Sequence, residues 1–190
     1  HANMAVVGKY AYVLSEYGKT VDVSPFSPHY PPTTAPLVDA ALQYECPYDG
    51  NVYVLIIRNA LHIPSMDNNL IPPFMMREAG LLVKDTPKIQ VRDPDVNDHA
   101  ITFPETGFRI PLALWGVFSY FPTSKPSKET LNSIKDVYLL TPDRWNPHAD
   151  MYAINEESML DWEGNITDVK DRETRLVLDE IPDNEAMVAS

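Results

Sequence analysis

A chain of 190 residues, 44% hydrophobic and carrying ten Tyr, six Phe and three Trp, can bury one substantial core and is not disordered. Its formal charge of -12, from 27 acidic and 15 basic residues, opposes binding to a phosphate backbone, because that affinity rests on cationic contacts that release counterions. The single cysteine, Cys46, has no partner for an internal disulfide, and no apolar run approaches the roughly 18 residues of a membrane span, so a soluble intracellular protein is expected.

Eighteen prolines against seven glycines limit helix length, since each proline fixes φ and removes a backbone donor; short strands joined by structured loops are predicted. Tyr10 to Leu14 and Thr20 to Val23 read as the two arms of a hairpin, with Glu16-Tyr17-Gly18-Lys19 as its turn. Ser24 to Pro36 holds five prolines and predicts a stiff projecting loop, after which Leu37 to Tyr44 returns as a strand. The nearly all-apolar run Val52-Tyr53-Val54-Leu55-Ile56-Ile57 predicts a strand buried on both faces.

Ile71 to Gly80, with prolines at its start and glycine past its end, brackets one short helix. Further strands are predicted at Leu81 to Lys84, Ala100 to Phe103, Phe108 to Leu114, Trp115 to Phe121 and Val137 to Leu140. Pro111 demands an edge or a bulge. Ser127 is placed to cap a helical turn over Lys128 to Leu131. From Asp143 apolar density falls, and an acidic linker or tail is expected over 143–190. The sum is an all-β, β-dominated fold.

Motif spacing alone names no active site. There is no Gly-x-Ser-x-Gly, no phosphate-binding glycine loop and no Cys-x-x-Cys. Cys46 lies between Glu45 and Pro47, with no His or Lys beside it to lower its pKa, and reads as a buried or turn thiol. Asp93-Pro94-Asp95-Val96-Asn97-Asp98 alternates like a calcium loop, but Asp98 stands where the sharp turn needs glycine, so a solvated turn is expected. A leading His1 offers an amine and an imidazole to copper, yet His29, His62, His99 and His148 show no paired ligand spacing, and no metal or cofactor is expected.

The stretch Ile57-Arg58-Asn59-Ala60-Leu61-His62-Ile63-Pro64-Ser65-Met66-Asp67-Asn68-Asn69-Leu70-Ile71 resembles the N-V-L-Y/H-V-P-S-L, spacer, N-L-L segment of copia-type retrotransposon Gag-Pol polyproteins. As in that family, a short helix ending at glycine and an apolar strand follow it. His1-Ala2-Asn3-Met4 is similar to the Asp-Ser-His-Ala loop of the algal and diatom-like subgroup after its second residue, and Asp22-Val23-Ser24-Pro25-Phe26 to that subgroup's Asp-Val-Ser-Pro-Phe. The resemblance covers roughly His1 to Asn165.

It implies a retropepsin-like acid-protease β barrel over 1–84, a β-rich extension over 85–142 and the acidic tail over 143–190. It also implies a homodimeric aspartic endopeptidase that processes its own polyprotein in the cytoplasm, within a virus-like particle. His1, Ala2 and Asn3 would shape the active-site loop, Phe26, His29 and Tyr30 the flap over a polypeptide substrate, and Asn69, Leu70 and Ile71 the support of the loop. The catalytic aspartate is expected two places before His1. Asp22, Asp39, Asp49 and Asp67 lack an Asp-Thr/Ser-Gly-like context and read as turn or strand-edge acids, so the residues from His1 onward are expected to be inactive alone. The alternative is a non-catalytic structural or protein-binding β module derived from such an element.

Overall fold

The apolar run from Val52 is the middle of the main sheet. In the computed structural model, which describes residues 2–25 and 27–167, this sheet is built from β1 (Ala5–Val7), β2 (Tyr12–Val23), β3 (Thr33–Glu45) and β4 (Val52–His62). β4 pairs antiparallel with β3, and β3 in turn with β2. The other edge of β4 takes two parallel partners in succession. β1 lies against Ala60 to His62, and the distant Val137–Leu139 strand lies against Val54 to Ile56. Burial on both faces follows from this central place: Val54, Leu55, Ile57, Ala60 and Leu61 are all buried.

The hairpin expected at Tyr10 to Val23 is instead one continuous strand, β2. Glu16 faces Val38 and Thr20 faces Pro36, so Tyr17 to Lys19 bulge out, with Gly18 at φ 70. The long β3 offers pairing along all of β2, and the glycine that a turn would use is absorbed as a bulge. The true reversal lies in the proline-rich segment, which is shorter than expected because Thr33 to Pro36 pair with Thr20 to Val23.

Past β4, α1 (Pro73–Glu78) starts with Pro73 at its first turn and closes with Gly80 at φ 86, its N–H donating to the Arg77 carbonyl at 3.0 Å. A second sheet follows, with β5 (Leu82–Lys84), β6 (Ala100–Thr102) and β7 (Arg109–Pro111) in that order, so Pro111 sits on an edge strand. A third sheet is the tight hairpin of β8 (Ala113–Trp115) and β9 (Phe118–Tyr120). α2 (Lys128–Ser133) then leads to β10 (Val137–Leu139), and the Ser127 side chain accepts from the Thr130 N–H at 3.1 Å as its cap.

Aromatic packing fastens the second sheet to the first. Phe108 stacks on Tyr138 with ring centroids 4.3 Å apart and lies 4.5 Å from Tyr53, while Phe103 lies 4.8 Å from Tyr138. Residues on both sides of position 84 therefore build one unit, which extends to Asp143.

A second unit begins at Arg144. It carries α3 (Met151–Met159), a helix not expected in that stretch, followed by a bridge between Leu160 and Ile166. α3 lacks a side-chain N-cap bond and a sustained apolar face, the two signals by which a helix is read from sequence. The described residues thus contain three short helices, not one, beside ten strands. Among the described residues, no helix is long and apolar enough to cross a membrane.

Candidate functional site

Three strands kink at one level, and that level organises the site. Asp39 of β3 faces a bulge on each side: Leu14 is the extra residue of β2, and Arg58 and Asn59 together span one position of β4. Asn59 adopts φ 56, which asparagine tolerates better than other non-glycine residues, and is buried. Its side-chain amide donates to the carbonyls of Pro142 and Asp143, both at 2.9 Å. Beside it, the Thr141 hydroxyl accepts from the Arg58 N–H at 2.7 Å and donates to the Arg58 carbonyl at 2.8 Å. The bulge therefore ends the pairing with β10 and frees the next stretch of β4 edge for β1.

β1 is laced between two segments of the motif that runs from Ile57 to Ile71. On one side it pairs with Ala60 to His62, and the Ile63 N–H donates to the Val7 carbonyl at 2.9 Å. On the other, Val6 and Leu70 exchange both backbone hydrogen bonds, at 2.9 and 2.8 Å. The Asn69 side-chain oxygen accepts from the Gly8 N–H at 2.9 Å, and the Met66 carbonyl accepts from Lys9 at 3.0 Å. Gly8 is required by close approach: a Cβ there would come within 2.2 Å of the Met66 carbonyl oxygen. Met4, Ala5 and Val7 are almost wholly buried, so the strand that follows the Asn3-Met4 bend is buried as well as paired on both edges.

The predicted loop and its support are thus neighbours. Ala2 and Asn3 precede β1, Asn69 and Leu70 bond to β1 and the turn after it, and Ile71 follows at the entrance to α1, half-buried. The flap candidates His29 and Tyr30 lie at the exposed tip of the β2–β3 hairpin, where the Tyr30 N–H donates to the Ser27 carbonyl. Thr33, where the tip begins, lies five residues along β3 from Val38, the residue level with Ala60 and hence with Ala5. At the strand rise this is about 17 Å. His1 and Phe26, expected in the loop and the flap, lie outside the described residues.

The four aspartates read as structural acids each hold a local contact. Asp22 accepts from the Thr34 hydroxyl at 3.0 Å, and Asp67 pairs with Lys9 at 2.5 Å. Asp49 accepts from the Asn51 N–H at 2.8 Å and the Tyr53 hydroxyl at 3.0 Å, and the backbone bond holds its carboxyl below the usual range. Asp39 accepts from the Tyr17 hydroxyl. Burial, with this carboxylate adding to it, pushes the Tyr17 phenol up to about 12. In the Asp93–Asp98 turn, Asp98 accepts from the Asp95 N–H and pairs with Lys84, and Asp95 accepts from the Asn97 N–H. Cys46 is buried at the head of the turn into β4.

One polar constellation was not legible in the sequence. His99, buried at φ 52, has its Nε2 2.8 Å from the Ser119 hydroxyl, which donates to the Asp85 carbonyl at 3.3 Å. With the hydroxyl proton directed at that carbonyl, Nε2 is the donor; in either tautomer the contact fastens the β8–β9 hairpin to His99. Burial depresses the His99 pKa, Lys88 adds to the depression and Asp85 opposes it. Compared with protein-family models, with curated proteins and with solved structures, the chain shows no match.

Proposed function

We propose that this chain is the scaffold of one half of a retropepsin-like aspartic endopeptidase from a copia-type polyprotein, acting on that polyprotein as substrate. The observation that carries the reading is the lacing of β1 between the end of β4 and Asn69-Leu70. This arrangement holds the strand that follows the Asn3-Met4 bend, downstream of the catalytic aspartate expected two places before His1.

In such an enzyme each of two protomers supplies one aspartate. Two carboxylates brought that close cannot both ionise, so they share a proton; the ionised member takes a proton from the attacking water while the other protonates the peptide. This chain's part is to place the loop and to close the β2–β3 tip, with Phe26, His29 and Tyr30, over the peptide. The contacts made by Asp22, Asp39, Asp49 and Asp67 support assigning the catalytic role to none of them.

A second reading, a non-catalytic protein-binding module, is favoured by the exposed aromatic face of the β8–β9 hairpin. Adding Asp-Ser ahead of His1 separates the two. Cleavage of peptides at acidic pH, inhibited by pepstatin and abolished by Asn in place of the added Asp, supports the protease; a folded dimer of the extended chain that cleaves nothing overturns it.

A further inference from the structure

The β8–β9 hairpin has two unlike faces. Register pairs Leu114 with Ser119, Ala113 with Tyr120, and Trp115 with Phe118. Leu114 and Ser119 therefore share one face, and that face is anchored through Ser119 to His99 and the Asp85 carbonyl. The opposite face carries Trp115, 70% exposed, Phe118, 68% exposed, and Tyr120, 46% exposed, and Val117 at the turn is 87% exposed. Gly116, at φ 61, opens the two-residue turn and holds the arms in register. A contiguous aromatic face directed at solvent marks a candidate contact surface.

We infer that this face is a self-association surface, occupied by the same face of a second copy about a two-fold axis. Charge supports a second copy. From Ile110 to Ser124 there is no charged side chain, in a chain whose net charge is -12, so this is a place where two like-charged copies meet without opposing carboxylates. Area agrees: at the exposures above and ~150–250 Å² per fully exposed aromatic, the face offers roughly 500 Å² per copy. A symmetric pair then buries about 1,000 Å², roughly the least that a specific interface needs. Among the described residues neither β8 nor β9 has a further partner strand, so edge pairing is also open to the two copies.

The inference does not rest on the protease reading. The test is sedimentation equilibrium of the chain across the micromolar range, beside Trp emission in a Trp162→Phe background, in which Trp115 is exposed and Trp145 is already buried. A reversible dimer is expected, with emission moving to the blue as concentration rises. Trp115→Lys with Phe118→Lys is expected to weaken the dimer about 100-fold or more, as loss of two central aromatic anchors does. Near-ultraviolet circular dichroism shows whether that double variant folds; if it does not, Phe118→Ser takes its place, and the emission shift of the intact hairpin reads the contact without it. A chain that stays monomeric with unshifted emission, or a folded variant that dimerises as tightly as the parent, overturns the inference. A monomer that co-sediments with phosphatidylcholine vesicles overturns it in favour of a lipid surface.

Discussion

Replacing Gly8 by alanine tests the lacing of β1 most directly. The added Cβ would meet the Met66 carbonyl oxygen at 2.2 Å and its carbon at 3.0 Å. Both are backbone atoms, so no side-chain rotation relieves the clash, and either β1 or the turn closed by the Met66 N–H to the Ile63 carbonyl must move. That movement lengthens the Lys9 to Met66 bond and the Gly8 to Asn69 bond, now 3.0 and 2.9 Å. Overpacking of this kind costs ~1–3 kcal/mol, and a weakened part-buried hydrogen bond ~1 kcal/mol more. With a urea slope of ~2 kcal/mol per molar, the combined loss lowers the unfolding midpoint by roughly 1–2 M. Gly50→Ala is the control: Gly50 sits at φ 70 with nothing within 4 Å of an added Cβ, so it pays only the left-handed backbone penalty of ~1 kcal/mol. Urea unfolding followed by circular dichroism compares the two. If Gly8→Ala costs no more than Gly50→Ala, close approach at Met66 is not what holds β1.

Other substitutions probe separate links. Asn59→Gly keeps the φ of the bulge but removes the amide that reaches Pro142 and Asp143, and is expected to cost ~1–3 kcal/mol; Asn59→Ala, losing both amide and conformational tolerance, is expected to cost about 1 kcal/mol beyond that in the same urea titration. Tyr44 is 1% exposed and its hydroxyl has no hydrogen-bond partner among the described residues, so Tyr44→Phe is expected to raise the urea midpoint or leave it unchanged; a loss above ~1 kcal/mol would reveal a partner for that hydroxyl. His99 has a depressed folded-state pKa, so below its ordinary value near 6.5 the unfolded chain binds the extra proton and stability falls with pH. Its contribution is fully present above that value and is lost as pH falls through the folded pKa. Thermal unfolding at stepped pH should therefore show a steeper acid decline in the parent than in His99→Asn, and equal slopes would remove His99 from the account.

Much of the fold was legible because it rests on local composition. The apolar run at Val52 to Ile57, expected as a core strand, lies in β4, the prolines and glycine around α1 bracket a short helix, and Ser127 announces α2. Pro111 cannot donate within a sheet and lies on an edge strand. These signals act within a few residues, where propensity and capping dominate. Gly18 misled because a glycine at positive φ serves a turn and a bulge equally well, and only the presence of β3 along the whole of β2 decides between them. Asn59 stood within the stretch from Ile57 to Ile71 singled out in the sequence, but its task depends on Pro142 and Asp143, more than 80 residues away.

What the amino-acid order determined by itself is the β-dominated character, the core strand and the punctuation of the helices, because periodicity and backbone restriction are properties of neighbouring residues. Only the tertiary structure decided which edges meet: two distant segments sharing one edge of β4, β1 locked between that strand and Asn69-Leu70, and His99 fastening a hairpin whose aromatic face remains exposed. Those contacts join residues that are not neighbours in the chain, and the division of the β4 edge coincides with the stacked bulges at Asp39, whose pairing partners no local pattern specifies.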